Sequence, residues 1–272
     1  MRKIDCPIIQ DLLLLDALRL SPGSAAQQAA PYFDAIALRY SAYELSCGDP
    51  WAVLPDTGFL PVKEQLKSLY STPPVALSFI SDLRGTLRGA CPVCGRDALG
   101  TLDHYLPKSL YSEFSFFSKN LVPCCDRCNN KRNALVRGAG IGERPVHPYF
   151  DNFAVNRILS VQFEPDWRAP KITPIPFDVA GQELATVRWH IENVIRPAGI
   201  DEYLVDLWGT MVSELKQIFP EVLTIDDLKR EILQYARYER VVSQSPNSWR
   251  SAYYHGLGRN DEVITYLYGL LI

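Results

Sequence analysis

The stretch from Cys91 to Lys131 constrains the fold of this chain more than any other. It contains two Cys-x-x-Cys pairs, Cys91/Cys94 and Cys125/Cys128. Two thiolates on one tight turn can reach a single tetrahedral zinc ion, and two such turns supply its four ligands. We therefore expect a structural zinc that pins both ends of the segment between the pairs.

Composition places the chain among soluble globular proteins. It has 272 residues, of which 47% are apolar and 22% charged. A chain of this length buries its own core, so the zinc would be a local staple. The N-terminus lacks the order of a secretory signal, and no apolar run approaches a membrane span. We expect a cytoplasmic protein that has no membrane partner.

The cysteine distribution fits the same compartment. Five of the seven cysteines lie between residues 91 and 128. Clustering at metal spacing, with an odd total, favours a reducing environment over a disulfide framework. Cys124 is an alternative to Cys125 as a zinc ligand, since it would pair with Cys128 at the wider Cys-x-x-x-Cys spacing. We expect Cys124 to be a buried free thiol.

Charge is unevenly distributed along the chain. Residues 82–137 contain nine basic and five acidic residues, which gives this segment a charge of +4. Because the net charge of the whole chain is −3, the remaining residues carry −7. A locally basic module within an acidic chain is what binding of phosphates at one face requires. Any subdomain can differ by four charges, so this is a weak indication.

Apolar spacing predicts helices on both sides of the cysteine segment and a few strands after it. Short or edge strands are expected between residues 157 and 191, where residues 187–191 have a strand period with a helix as the alternative. The predicted helices cover Phe33–Tyr43, Val62–Tyr70, Leu204–Leu215, a helix capped at Thr224 that runs to Val242, and residues 260–272.

The expected fold is therefore mainly α, with an embedded zinc-stapled module and a few short strands after it. We divide the chain into an N-terminal helical region at 1–88, the zinc module at 89–150, and short strands followed by helices at 151–272. The last region is expected to pack with 1–88 as one domain.

The segment between the cysteine pairs carries groups suited to phosphodiester hydrolysis. That reaction needs a base for water and a cation for the charge on the phosphate. His104, next to Asp103, is the candidate general base. Asp103 offers a hard carboxylate for Mg²⁺ or Mn²⁺, and Asn129 can offer a carbonyl oxygen to the same ion. The amide of Asn120 can tie the loop to the scaffold.

These residues resemble the HNH, or ββα-metal, endonuclease motif in its four-cysteine form. The family pattern is Cys-x-x-Cys, Asp-His, Asn-Leu, then Cys-x-x-Cys-Asn with a following Lys, and every position is filled here. The resemblance implies a treble-clef-like ββα module in which His104 is the general base. Asp103, in place of the first His of the family name, and Asn129 would hold the catalytic ion, and Asn120 would orient the loop that carries His104.

A broader resemblance extends over the whole chain. The stretches D-H-Y-L-P-K-S, N-L-V-P-C-C-D-R-C-N-N-K and S-W-R-S-A-Y-Y-H-G-L are similar to PtuB-type HNH proteins. Those proteins accompany a PtuA-type ATPase in Septu and retron-linked anti-phage systems. The resemblance implies a nuclease effector that works with an ATPase, with or without a retron.

Four basic residues are candidate contacts to the nucleic-acid backbone, although a solvated face explains them equally well. They are Lys108, Lys119, Lys131 and Arg132.

The alternative to an enzyme is a non-catalytic zinc module that binds nucleic acid or a protein. Such a module has no reason to keep Asp103 and His104 together with both asparagines. Neither motif nor charge distinguishes DNA from RNA.

Overall fold

A computed structural model of the chain describes residues 1–85, 88–98, 100–130 and 134–272, and the backbone of residue 131. These residues form mainly helices, joined by short 3-10 turns, and two short antiparallel hairpins, as predicted. The strands are β1 Thr101–His104, β2 Leu121–Cys124, β3 Leu159–Glu164 and β4 Lys171–Pro176. The α-helices are α1 Asp11–Arg19, α2 Ser24–Ala29, α3 Phe33–Leu45, α4 Lys63–Ser71, α5 Phe79–Gly85, α6 Asp126–Lys131, α7 Gly181–His190, α8 Ile200–Ser213, α9 Leu215–Ile218, α10 Ile225–Val242, α11 Trp249–Leu257 and α12 Asp261–Leu271.

The cysteine segment folds as a hairpin followed by a helix. β1 and β2 pair antiparallel, with Thr101 opposite Cys124 and His104 opposite Leu121. β2 is buried along its whole length, and α6 begins directly after Cys125 and packs against β1. A hairpin of two four-residue strands is at best marginally stable alone in water. It therefore depends on the elements around it.

Helix α3 supports the loop that joins β1 to β2. Its buried residues, Phe33, Ile36, Tyr40 and Tyr43, recur at steps of three and four, which confirms the predicted helix. The Tyr40 ring stacks on Phe117 of the loop, with centroids 4.1 Å apart. Helix and loop thus share one aromatic core.

The region after the cysteine segment confirms one prediction and corrects another. β3 and β4 form the second hairpin, where short strands were expected. At 187–191 the strand reading is wrong and the helical alternative is correct, because these residues belong to α7 and to the π-helical turn Ile191–Ile195 that follows it. Val187, His190 and Ile191 are all buried. Burial around a helix gave an apolar pattern that resembles the alternation of a strand.

The C-terminal helices complete the core. The Asp227 N–H donates to Thr224 Oγ1 at 3.1 Å and the Thr224 N–H donates to Asp227 Oδ2 at 3.0 Å, so α10 begins with the predicted capping box. Buried apolar side chains from the N-terminal helices, the cysteine segment and the C-terminal helices form one continuous cluster. Within the described ranges, no helix has the length and apolar character needed to cross a membrane.

Gly256 marks a close approach of α11 to β3. A Cβ atom at this position would overlap the backbone carbonyl of Val161, which cannot turn aside as a side chain can. We expect Gly256→Ala to lower the free energy of unfolding by about 1–3 kcal/mol, as overpacking does, measured by chemical denaturation. Gly209→Ala in α8 is the matched control, because a Cβ there has no neighbour within 4 Å. It should raise stability by roughly 0.5–1 kcal/mol, and equal effects at both sites would contradict the argument.

Candidate functional site

Four cysteine sulfurs come together beside the hairpin. The Sγ atoms of Cys91, Cys94, Cys125 and Cys128 lie within 4.8 Å of one another, and all four residues are buried. The Cys94 and Cys125 sulfurs are 3.7 Å apart, close to the ~3.8 Å that a tetrahedron with Zn–S bonds of about 2.3 Å requires. The predicted ligands are therefore assembled, and this group could hold zinc.

The protonation of the thiols indicates why this group needs a cation. Burial raises the pKa of Cys94 well above its usual value. Burial also opposes a charge on Cys91, but hydrogen bonds from the Cys125, Cys128 and Cys94 thiols outweigh it and lower the pKa of Cys91. Without a metal, negative charge is therefore confined to part of the cluster. A dication removes this restriction, since thiolates rather than thiols bind metals, and binding then releases protons.

Side chains from distant helices fasten the first cysteine turn. Trp249 Nε1 donates to the Cys94 carbonyl at 2.7 Å, and His190 Nε2 donates to the Val93 carbonyl at 2.8 Å. Gly95 has a φ of +88°, and a Cβ there would overlap backbone atoms of the segment that precedes α11. Sequence reasoning missed these contacts, because no local spacing connects residues 190 and 249 with residue 93.

Cys124 lies outside the four-sulfur group, as expected. It is fully buried at the end of β2, and its sulfur is 3.3 Å from Thr101 Oγ1 across the hairpin. Burial raises the pKa of the Cys124 thiol. The group is therefore neutral, and a neutral buried thiol behaves as a small apolar side chain.

The His104 ring at the end of β1 is held in one tautomer. Its Nε2 lies 2.8 Å from the Ser115 carbonyl oxygen. A carbonyl only accepts, so Nε2 donates and the lone pair of the neutral ring is on Nδ1. This is the state that a general base requires. The sequence could not identify Ser115, because any residue can supply a backbone carbonyl.

Asp103 and His104 share a site although neighbours on a strand usually face opposite sides. The Asp103 carboxylate turns back, and its Oδ1 accepts the His104 N–H at 2.8 Å. The Tyr70 ring meets the His104 ring edge to face, with centroids 4.4 Å apart. Burial raises the pKa of Tyr70, a hydrogen bond with Arg84 and the charge of Arg84 oppose this shift, and the charge of Asp103 adds to it. Both predicted groups are therefore close to one aromatic ring of α4.

The loop that presents the Ser115 carbonyl is fixed by a buried ion pair. Arg39 donates to Glu113 Oε1 from Nε at 3.1 Å and from Nη2 at 2.9 Å. Burial raises the pKa of Glu113, and Arg39 opposes this shift. The Ser115 hydroxyl also donates to the Ser112 carbonyl at 2.7 Å. The acceptor of the His104 proton is thus part of a rigid turn.

Asn120 joins both halves of this arrangement. Its Oδ1 accepts the Leu106 N–H at 2.7 Å, and its Nδ2 donates to the carbonyls of Leu106 at 3.0 Å and Phe114 at 3.1 Å. Leu106 follows His104 by two residues, and Phe114 directly precedes Ser115. One buried amide therefore holds the segments that carry His104 and the Ser115 carbonyl.

A second buried histidine, His147, supports Asn120 through Tyr43 of α3. His147 Nδ1 accepts the Tyr149 N–H at 3.2 Å, so its Nε2 donates to the Tyr43 hydroxyl 2.9 Å away. That hydroxyl donates in turn to Asn120 Oδ1 at 3.2 Å. His147 is fully buried, so its contacts act on the scaffold.

Two further predicted residues lie on elements that adjoin the Asp103–His104 pair. Asn129 is exposed on α6, which packs against β1. Lys108 is half-buried in the loop after β1, with Nζ 4.3 Å from the centroid of the Tyr70 ring.

Of the other predicted basic residues, Lys119 has a described side chain. Lys119 Nζ forms an ion pair with Glu44 of α3 at 2.5 Å. The Lys131 side chain and the whole of Arg132 lie outside the described residues.

Comparison with known proteins gives one partial match. Over 77 residues the chain is 34% identical to Protein ea31 of Escherichia phage lambda. The match covers 28% of this chain and 26% of the phage protein, so it spans about a quarter of each. No protein-family model and no solved structure matches the chain.

The zinc assignment is tested by a pair of cysteine substitutions. Cys94→Ser removes one of four assembled sulfurs, so we expect zinc content well below one ion per chain and a lower thermal midpoint, because binding of a structural zinc contributes directly to folding. Cys124→Ser is the control and should keep one zinc. The measurements are elemental analysis and thermal unfolding with and without a chelator. Equal zinc content in both variants would show that the four-sulfur group is not the metal site.

Proposed function

We propose that this protein is a metal-dependent endonuclease of the HNH type that hydrolyses phosphodiester bonds of nucleic acid. The observation that supports this most is the His104 Nε2–Ser115 hydrogen bond of 2.8 Å. It fixes the tautomer of a histidine that follows an acidic residue on β1, and β1 belongs to a strand–strand–helix unit beside four clustered cysteines.

In this proposal His104 is the general base. Its Nδ1 lone pair accepts a proton from the attacking water, and the Ser115 carbonyl stabilises the imidazolium that forms. Asn120 keeps the two segments in register through its contacts to Leu106 and Phe114. The chain thus supplies a base whose orientation is set before substrate arrives.

The oxygen donors of Asp103 and Asn129 suit a hard divalent ion such as Mg²⁺ or Mn²⁺. When bound, such an ion would neutralise charge that develops on the phosphate. Zinc on the four cysteines has a different task. Its ligand set is complete, as in structural sites, so it staples the hairpin and helix together.

The rival proposal is a non-catalytic zinc module that binds nucleic acid or a protein. The same cysteines, helices and basic side chains would serve it. A binding module has no use for a histidine with a fixed tautomer beside a carboxylate. This is why we favour the enzyme.

We further propose that the nuclease is an effector of an anti-phage defence system, with a PtuA-type ATPase as its partner and, in some systems, a retron. The resemblance of the chain to PtuB-type proteins supports this. The hairpin and its helix need few residues, and the surrounding helices offer exposed surface for a partner. The partial match to a phage protein carries no information on activity.

Catalysis is tested by substitution of the four site residues. His104→Ala should reduce the cleavage rate by about 10²–10⁴-fold while zinc content stays unchanged, because a general base acts in the transition state. Asp103→Ala and Asn129→Ala should need more metal and be partly rescued by Mn²⁺. Asn120→Ala should give an intermediate rate and also lower stability, since it leaves buried groups without partners. The measurement is the initial rate against metal concentration on plasmid, single-stranded DNA and RNA.

His255→Ala is a control outside the hairpin and should cleave as the wild type does. If His104→Ala retained the full wild-type rate at every metal concentration, the proposed mechanism would be wrong.

The partner proposal is tested on α10. Tyr238 and Val241 are 62% and 74% exposed on this helix. Replacing both with Asp should abolish co-purification with the co-expressed ATPase, because charged groups are costly in an interface core. His104→Ala should co-purify normally. A double variant that still binds the ATPase would remove α10 from the interface, and a wild type that never binds it would refute the partnership.

A further inference from the structure

A cluster of cations surrounds the Tyr70 ring at the edge of the proposed active site. Lys108 Nζ lies 4.3 Å from the ring centroid, in cation–π contact. Lys67 lies on the same face of α4 as Tyr70, one turn before it, and Arg84 lies on α5, which packs against β1. Charged neighbours of the Lys108 ammonium are Lys67, Asp103 and Arg84.

The charges in this cluster are only partly balanced, because Lys67 pairs with Glu64 of α4 at 2.8 Å. Within the described part of the chain, neither Lys108 nor Arg84 forms an ion pair with an acidic side chain. Burial lowers the pKa of Lys108, and the positive charge of Lys67 lowers it further. Lys108 contacts the Tyr70 ring and Arg84 hydrogen-bonds to the Tyr70 hydroxyl, so these two like charges repel each other. An anion that binds among them relieves this repulsion.

The ring also connects the cations to the catalytic strand. The Tyr70 hydroxyl donates to the Leu102 carbonyl of β1 at 3.5 Å, and its ring edge contacts His104. One flat side chain therefore contacts the proposed base on one side and a lysine on another. A shift of Tyr70 would move both groups.

We propose that Lys108 and Arg84 bind a backbone phosphate next to the scissile one, and that Tyr70 is the positioning residue that sets this phosphate site relative to His104. The inference rests on the proposed function for its substrate class. It adds that α4 and α5, outside the zinc-stapled hairpin, form one wall of the substrate site.

The ligand chemistry is that of a phosphodiester backbone, not of a base. Lysine and arginine side chains bind phosphate charge without sequence preference. The site therefore contributes affinity and register, and the contribution should depend strongly on salt.

The first test measures binding on protein that cannot cleave. In the His104→Ala background, Lys108→Gln and Arg84→Gln are titrated with a fluorescein-labelled single-stranded oligodeoxynucleotide and with its duplex at several salt concentrations. Each substitution should reduce the slope of log affinity against log salt by roughly 0.7–0.9, the value for one phosphate contact. Lys171→Gln is the matched control, because Lys171 pairs with Glu164 on the β3–β4 hairpin. It should leave the slope unchanged.

The second test separates positioning from packing at Tyr70. In catalytically active protein, Tyr70→Leu should raise KM and lower kcat together, because it removes the ring that contacts both Lys108 and His104. Tyr70→Phe keeps the ring and should restore both parameters to within a few-fold of the wild type. Zinc content and thermal midpoint, measured alongside, show whether a variant is folded.

The two proposals fail separately. If Lys108→Gln, Arg84→Gln and Lys171→Gln give one common slope, or if the parent His104→Ala protein binds neither probe, the phosphate site is refuted even where wild type cleaves. If the slopes change as expected and wild type cleaves no nucleic acid, the phosphate site stands and the nuclease proposal falls.

Discussion

Burial of four sulfurs within a few ångströms is the constraint on which this fold depends. Charged thiolates in the interior repel each other, so only part of the cluster carries negative charge, as the opposite pKa shifts of Cys91 and Cys94 indicate. A dication that ligated all four sulfurs would resolve the conflict. It would also fix the turn before β1 to the start of α6. Short strands with few ladder hydrogen bonds can then keep one register, because both ends of the segment are held.

The first hairpin and its four-sulfur group depend on contacts from the rest of the chain. Trp249 and His190 donate hydrogen bonds to carbonyls of the first cysteine turn. From the N-terminal helices, Tyr43 hydrogen-bonds to Asn120 and Tyr70 packs against His104. These contacts join the helices to backbone carbonyls and to ring edges of the site. Substitutions in a remote helix should therefore alter the site through geometry, and they need not touch a catalytic residue.

The sequence predicted the groups with a chemical signature and could not predict those without one. Two Cys-x-x-Cys pairs identified the four-sulfur group, apolar spacing identified α3, and the capping box at Thr224 identified α10. The acceptor of the His104 proton is a backbone carbonyl, at Ser115, which any residue type supplies. Tyr70 was recognised only as an apolar position of a helix, because nothing in its spacing indicates a histidine 34 residues later. The error at residues 187–191 has a related cause: burial on several sides of a helix hides its period.

The buried amide of Asn120 couples the orientation of His104 to the stability of the loop between β1 and β2. The Asn120 amide hydrogen-bonds to Leu106, two residues after His104, and to Phe114, which directly precedes Ser115. The Tyr43 hydroxyl of α3 donates to the Asn120 amide oxygen. An amide of this kind both donates and accepts, which neither Asp nor Leu of similar size can do. Any substitution leaves at least one buried backbone group without a partner, at about 1–3 kcal/mol each. Orientation of His104 and stability of the loop therefore cannot be altered independently at this position.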